Sequence, residues 1–178
     1  MTRRRALALA AAVALSSAAA GYAVRRWWLG ASDTEAAQLD TQALFAARLA
    51  NLSGGTDTLE TWRGRVLVVN FWATWCAPCR EEIPVFIGMQ KRLGARGLQF
   101  IGIAIDRPDP VRAFQREYGM NYPILIGGIE TMELLRATGN KAGVLPYTLI
   151  VDKAGRLTAR KLGVLKESQL EAILEPLF

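Results

Sequence analysis

The chain's only two thiols sit three residues apart, in Cys76-Ala77-Pro78-Cys79. Such a pair can exchange two electrons with another disulfide. The attacking species is the thiolate, and the N-terminus of a helix favours it through its dipole and unpaired N–H groups. The pair is placed for that effect, because an apolar, β-branched run from Val66 to Trp72 precedes it and a segment of helical spacing follows. A zinc site is the obvious rival, but it needs about four Cys or His ligands. This chain has no histidine and no third cysteine, so the metal would have to recruit carboxylates. A purely structural bridge over so short a loop removes little unfolded-state entropy. Two inert buried thiols fit poorly beside Ala77-Pro78 and Arg80-Glu81-Glu82.

The elements around the pair form an alternating series. Val66–Trp72 is nearly continuous in apolar residues, as expected of a central strand covered on both faces. Ile83, Phe86, Ile87, Gln90 and Leu93 follow at helical spacing, with Pro84 set to kink that helix and Gly94 or Gly97 to end it. Leu98–Ile105 repeats the buried-strand pattern. Asp109-Pro110 reads as an N-cap and first helical residue, with Val111, Phe114 and Tyr118 as an apolar stripe and Gly119 as the stop. Tyr122–Ile126 is a short strand and Glu130–Ala137 a short helix closed by Gly139-Asn140. Tyr147–Val151 and Leu157–Leu162 flank a turn at residues 152–155, and Glu167–Leu174 is the last amphipathic helix. Upstream, Phe45, Leu49 and Leu52 before Ser53-Gly54-Gly55 suggest a hairpin starting at Leu44, and residues 58–62 a helical turn. The β-α-β units require parallel strands with helices on both faces; the final hairpin adds antiparallel ones. The expected fold class is α/β, a mixed sheet sandwiched by helices.

The net charge of +6 is located at the N-terminus. Residues 1–30 carry Arg3, Arg4, Arg5, Arg25 and Arg26 and no acid; the rest of the chain sets 17 basic residues against 16 acidic ones. With no basic stripe interleaved with aromatics in the body, nucleic acid is not an expected partner. Ala6–Val24 is an uncharged run of 19 residues. As a helix it would span about 28 Å, close to a bilayer's hydrocarbon thickness. Arg25-Arg26-Trp27-Trp28 suits a membrane interface, whereas Ala18-Ala19-Ala20 resembles a signal-peptidase site. The expected organisation is a membrane anchor or cleaved signal at 1–29, a linker at 30–42 and one domain at 43–178. An anchor places the domain outside the inner membrane, and a cleaved signal leaves it soluble in the periplasm.

Residues 69–84, Val69-Asn70-Phe71-Trp72-Ala73-Thr74-Trp75-Cys76-Ala77-Pro78-Cys79-Arg80-Glu81-Glu82-Ile83-Pro84, together with Gly143-Val144-Leu145-Pro146-Tyr147-Thr148-Leu149-Ile150-Val151-Asp152, resemble the thioredoxin superfamily. Within it they most resemble the membrane-anchored, extracytoplasmic TlpA/ResA-like branch, over roughly residues 43–178. The resemblance implies a thioredoxin-like fold with an N-terminal hairpin extension and a thiol-disulfide oxidoreductase whose only redox group is the Cys76–Cys79 disulfide, with no cofactor and no metal. It implies Cys76 as nucleophile, Cys79 as resolving thiol, a cis bond before Pro146, and substrate binding by Trp75, Pro78, Leu145 and Pro146. It also implies protein disulfide substrates, such as apocytochrome c or a copper-site protein, and a membrane thiol protein as electron donor.

Two positions differ from cytoplasmic thioredoxins: Asn70 stands where those proteins carry a buried aspartate, and Glu82 matches an acid of the ResA-like branch. Glu82 is therefore expected to handle protons unless it is merely a solvated helix carboxylate; Glu81 reads as surface and Trp72 as core. Ala-Pro between the cysteines supplies no cation to stabilise the thiolate strongly, so the expected potential is reducing, about −200 to −270 mV. A thiol peroxidase of this fold would need Thr three residues before its cysteine and Pro four before that; Ala73 and Val69 stand there. A non-catalytic binding module is the remaining alternative.

Overall fold

The computed structural model describes residues 41–128 and 130–178. The leader at 1–29 and all but the end of the linker at 30–42 lie outside the described residues. No helix among those described is long and apolar enough to cross a membrane.

Strand β3 (Val66–Trp72) is buried at every position, as its uninterrupted apolar run requires. It lies parallel to β4 (Leu98–Ala104), from Val66 opposite Leu98 to Trp72 opposite Ala104. On its other side it lies antiparallel to β6 (Tyr147–Val151). With β1 (Leu49–Asn51), β2 (Thr56–Asp57), β5 (Ile124–Ile126) and β7 (Leu157–Leu162), the seven strands run in the order β2-β1-β5-β4-β3-β6-β7. The sheet is mixed: β5 continues the parallel set from β4, while β1 joins β5 antiparallel and β7 joins β6 antiparallel.

The two-residue period of the strands divides the core. Val66, Val68, Trp72, Phe100 and Ile150 face a cluster completed by Ile83 and Phe86 of α2 (Ala77–Leu93), Val111 and Phe114 of α3 (Pro108–Tyr118), and Leu170 and Leu174 of α5 (Glu167–Leu174). Leu67, Val69, Phe71, Ile101 and Leu149 face the opposite cluster, with Leu44 and Phe45 of α1 (residues 41–46) and Leu134 and Leu135 of α4 (Glu130–Ala137). Helices therefore cover both faces, and the thioredoxin-like α/β architecture expected from the sequence is present.

Three local expectations are corrected. The hairpin begins at Leu49, not Leu44. Residues 41–46 are helical instead, burying Thr41, Leu44 and Phe45 at the three- and four-residue spacing of a helix. Helix α3 begins at Pro108 with Arg107 as its cap, two residues earlier than Asp109-Pro110 suggested; a proline at the first helical position lacks only an N–H that the helix would leave unpaired. Asp109 lies in the first turn and pairs with Arg112 at 3.0 Å. The short strand β5 begins at Ile124 rather than Tyr122.

Candidate active site

Cys76 caps α2, and Cys79 lies in its first turn. The two sulfurs are bonded, with Cα atoms 5.3 Å apart. The Cys79 N–H donates to Cys76 Sγ at 3.3 Å, so the helix offers one of its free N–H groups to the sulfur that precedes it. Cys76 is 5% exposed and Cys79 fully buried. The residues flanking the pair argue against a wholly buried cysteine; Ala77, Pro78, Arg80 and Glu81 are exposed, but Cys79 turns inward between them and is fully buried. Trp75, next to Cys76 in the chain, is 69% exposed, and Val144, two residues before Pro146, is 48% exposed. The Leu145–Pro146 peptide bond is cis, Leu145 is half-buried and Pro146 buried.

Behind the cysteines lies a buried polar group. Glu82, three residues after Cys79 and so on the same helical face, is 1% exposed. Asn70 Nδ2 donates to Glu82 Oε1 at 2.7 Å and to Thr148 Oγ1 at 3.0 Å. The Leu165 N–H donates to Glu82 Oε2 at 2.9 Å. Asn70 and Thr148 are directly opposite each other on β3 and β6, so the strand register brings these two together and α2 supplies the acid. Burial pushes the Glu82 carboxyl up to about 7, against the opposing pull of the Leu165 N–H and the Asn70 amide. Burial, with the Glu82 charge adding to it, also raises the Tyr122 phenol. Glu82 is thus no solvated helix carboxylate, and Trp72, fully buried against Phe114 at 5.1 Å between ring centroids, is core as expected.

Three further contacts were not visible in the sequence. Asp106, just past β4, accepts from the Thr74 N–H at 3.1 Å, from the Thr74 hydroxyl and from the Arg107 N–H at 2.7 Å; this ties down the segment that carries Trp75 and Cys76. The Arg80 guanidinium donates to the Tyr118 hydroxyl, joining the first turn of α2 to the end of α3. Asn140, read only as part of a helix stop, donates to and accepts from the backbone of Val144. Asp106 lies in a loop, which carries no periodic signal, and Arg80 and Tyr118 belong to two helices far apart in the chain, so among these contacts Asn140 alone, four residues from its partner and beside Gly139, had a sequence cue.

A family model described as Redoxin matches residues 34–174. The thiol-disulfide oxidoreductase ResA of Bacillus anthracis is 28% identical over 128 residues, spanning 71% of this chain and 72% of that protein. The thiol:disulfide interchange protein HelX of Rhodobacter capsulatus is 37% identical over 115 residues, 64% of this chain and 61% of that one. Among solved structures, a secreted thiol-disulfide isomerase from Corynebacterium glutamicum superposes with a TM-score of 0.67 at 27% identity, covering 74% of this chain and 82% of that chain. A thioredoxin-family thiol:disulfide interchange protein from Chlorobium tepidum gives 0.64, also at 27% identity, over 74% of this chain and 92% of that chain.

Proposed function

The chain belongs to the Redoxin family, and from that membership and the disulfide at the head of α2 we propose that it is an extracytoplasmic thiol-disulfide oxidoreductase that reduces disulfides of exported proteins. The observation that carries this reading is a Cys76–Cys79 bond at a helix N-terminus, with the exposed Trp75 next to it in the chain and the buried Glu82 carboxyl three residues along the helix from Cys79. The names of the ResA and HelX relatives support the activity. Maturation of c-type cytochromes or of a metal-site protein is the setting we assign. The substrate there is a protein whose own cysteines must be reduced before haem or metal is attached.

In the reduced enzyme the Cys76 thiolate attacks one sulfur of the partner's disulfide. A bond forms between Cys76 and that sulfur, and the partner's second sulfur leaves as a thiolate. Cys79 then gives its proton to Glu82 and attacks Cys76 Sγ. The Cys76–Cys79 bond forms, the mixed bond breaks, and the partner departs with two more electrons and, after protonation, two thiols. Trp75, Pro78, Leu145 and Pro146 receive the partner as an extended segment. A membrane thiol protein returns the two electrons, and residues 1–29 hold the domain at the outer face of the inner membrane or deliver it to the periplasm.

A peroxidase reading lacks its threonine, since Ala73 and not Thr precedes Cys76 by three residues. The test is capture: Cys79→Ser in the native compartment accumulates mixed disulfides on Cys76, and their partners are exported thiol proteins. A Cys76→Ser variant that retained full biological activity would instead favour a non-catalytic binding module.

A further inference from the structure

Asn70 has two amide N–H groups, and both go to side-chain oxygens: Glu82 Oε1 at 2.7 Å and Thr148 Oγ1 at 3.0 Å. All three residues are buried. The strand register sets Thr148 opposite Asn70, and its branched Cβ restricts where the hydroxyl can stand. The other Glu82 oxygen accepts from the Leu165 N–H at 2.9 Å. These two donors, from Asn70 and Leu165, favour the charged form of Glu82 against its burial. Of the titratable groups around it, Cys76 and Cys79 stand at the head of its own helix. Tyr122, ahead of β5, carries a phenol raised by burial and by the Glu82 charge. Lys166, next to Leu165, is exposed. The Glu82 charge therefore depends on which way the Asn70 amide points.

A carboxylate only accepts hydrogen bonds, whereas an amide presents a donor on one side and an acceptor on the other. Half a turn about its last side-chain bond would exchange Asn70 Nδ2 for Oδ1. The turned amide would repel a carboxylate and accept from a protonated carboxyl, so the two orientations favour opposite charge states of Glu82. Thr148 bears on this choice because its hydroxyl receives the second N–H of the donor orientation. Without that oxygen the N–H is left buried and unpaired, which costs more than an under-used carbonyl lone pair in the turned orientation. The balance then moves toward the turned amide and a protonated Glu82. We propose that Thr148 is a positioning residue for the resolving step: its hydroxyl holds the Asn70 N–H toward Glu82 and so keeps the carboxylate ready for the proton of Cys79. This rests on the proposed function, in which Glu82 accepts that proton.

The test follows both thiol steps after rapid mixing of the reduced protein with a small aryl disulfide whose thiolate is coloured. Attack by Cys76 releases one aryl thiolate and leaves the other aryl sulfur bonded to Cys76. Attack by Cys79 forms the Cys76–Cys79 bond and releases the second, so the protein is oxidised and the reagent reduced by two electrons. In Thr148→Val, which keeps the branched shape and loses the hydroxyl, the first release stays within about twofold at every pH. The midpoint of the second moves up by about one pH unit from about 7, the scale of one unpaired N–H. The second release is then about fivefold slower at pH 7 and regains the wild-type rate in more alkaline solution. Thr148→Ser keeps the hydroxyl and returns the wild-type profile; Thr148→Ala serves if the valine variant does not fold. Carboxyl-carbon NMR of Glu82 shows the same upward displacement. An unmoved second profile, equal slowing of both releases, a second release slowed alike at all pH values, or a serine variant no better than valine overturns the proposal. A Glu82→Gln protein whose second release keeps the wild-type profile overturns the proton-accepting role of Glu82 itself, and the proposal with it.

Discussion

The amide of Asn70 and the carboxylate of Glu82 meet at 2.7 Å inside the core, one from the central strand and one from the helix that begins at the cysteines. Asn70 interrupts the row Val66, Val68, Trp72 that faces α2, and its donor is what makes a buried acid tolerable there. A buried carboxylate is costly when charged and cheap when protonated, which is why Glu82 titrates at about 7.

The consequence for stability has a definite sign. Glu82's carboxyl is raised in the folded state from the ordinary 4.5 to about 7, so the folded protein holds a proton that the unfolded chain releases. The resulting stabilisation is fully present below pH 4.5 and is lost as pH rises through 7. The span corresponds to about 3 kcal/mol between the two limits. Glu82→Gln cannot ionise, so its denaturation midpoint should stay flat across that window while the wild type declines relative to it. Parallel midpoint-versus-pH curves for the two proteins would show that Glu82 is not the titrating group.

Asp106 makes a second, separable prediction. Its carboxylate receives three donors, two from Thr74 and one from the Arg107 backbone, and all three lose their acceptor in Asp106→Ala. Partly solvated hydrogen bonds of this kind contribute about 1 kcal/mol each, more when the acceptor is charged. The alanine variant should lose about 1–3 kcal/mol in urea denaturation. Asp106→Asn, which keeps one oxygen for Thr74, should recover roughly half of that. If both variants match the wild type, the Thr74 contact contributes no stability and the segment before Cys76 is held by β3 alone.

The difference between Glu82 and Asp106 shows what was legible in the sequence. The cysteine pair, β3, β4 and β6 were readable because burial on both faces writes itself as an unbroken apolar run. Glu82 was readable in principle: Cys79, Ile83 and Phe86 are all buried on α2, and Glu82 falls within that stripe. The adjacent Glu81 is exposed as expected, and for Glu82 a solvated helix carboxylate stood beside the proton-handling reading. Asp106 reaches Thr74 across 32 residues, a distance no periodicity spans. Helix α1 was missed because Leu44 and Phe45 read as the start of the hairpin, while residues 41 and 42 read as the end of the polar, alanine-rich linker.

Packing behind the site yields a third prediction. Trp72 Nε1 is buried with no hydrogen-bond partner among the described residues, and it lies over Gly102 on β4. A Cβ at Gly102 would stand 2.9 Å from that nitrogen and 3.5 Å from Tyr122 Cε2. The indole cannot swing away freely, because Phe114 packs on it. Gly102→Ala must therefore displace Trp72 or bend β4, and overpacking of this kind costs about 1–3 kcal/mol. A lowered melting temperature together with an altered near-ultraviolet tryptophan signal is the expected result. Unchanged stability would mean that the core around Trp72 yields more easily than its contacts imply.

The order of events at the sulfurs can be read from two pH profiles. Mixed-disulfide formation needs only the Cys76 thiolate, which the helix N-terminus favours and the Cys79 N–H contacts. Its rate should rise with pH along one ionisation, that of the Cys76 thiol. Resolution needs Cys79, which is fully buried, to lose its proton. In the proposed mechanism an ionised Glu82 one turn along the helix accepts that proton, so the resolving rate should rise around pH 7 in the wild type. In Glu82→Gln, rapid-mixing kinetics should show the first profile unmoved and the second displaced to higher pH with a slower plateau. If the substitution shifted both steps together, Glu82 would be acting on the general electrostatics of the site; if it shifted neither, the proton of Cys79 would leave by another route.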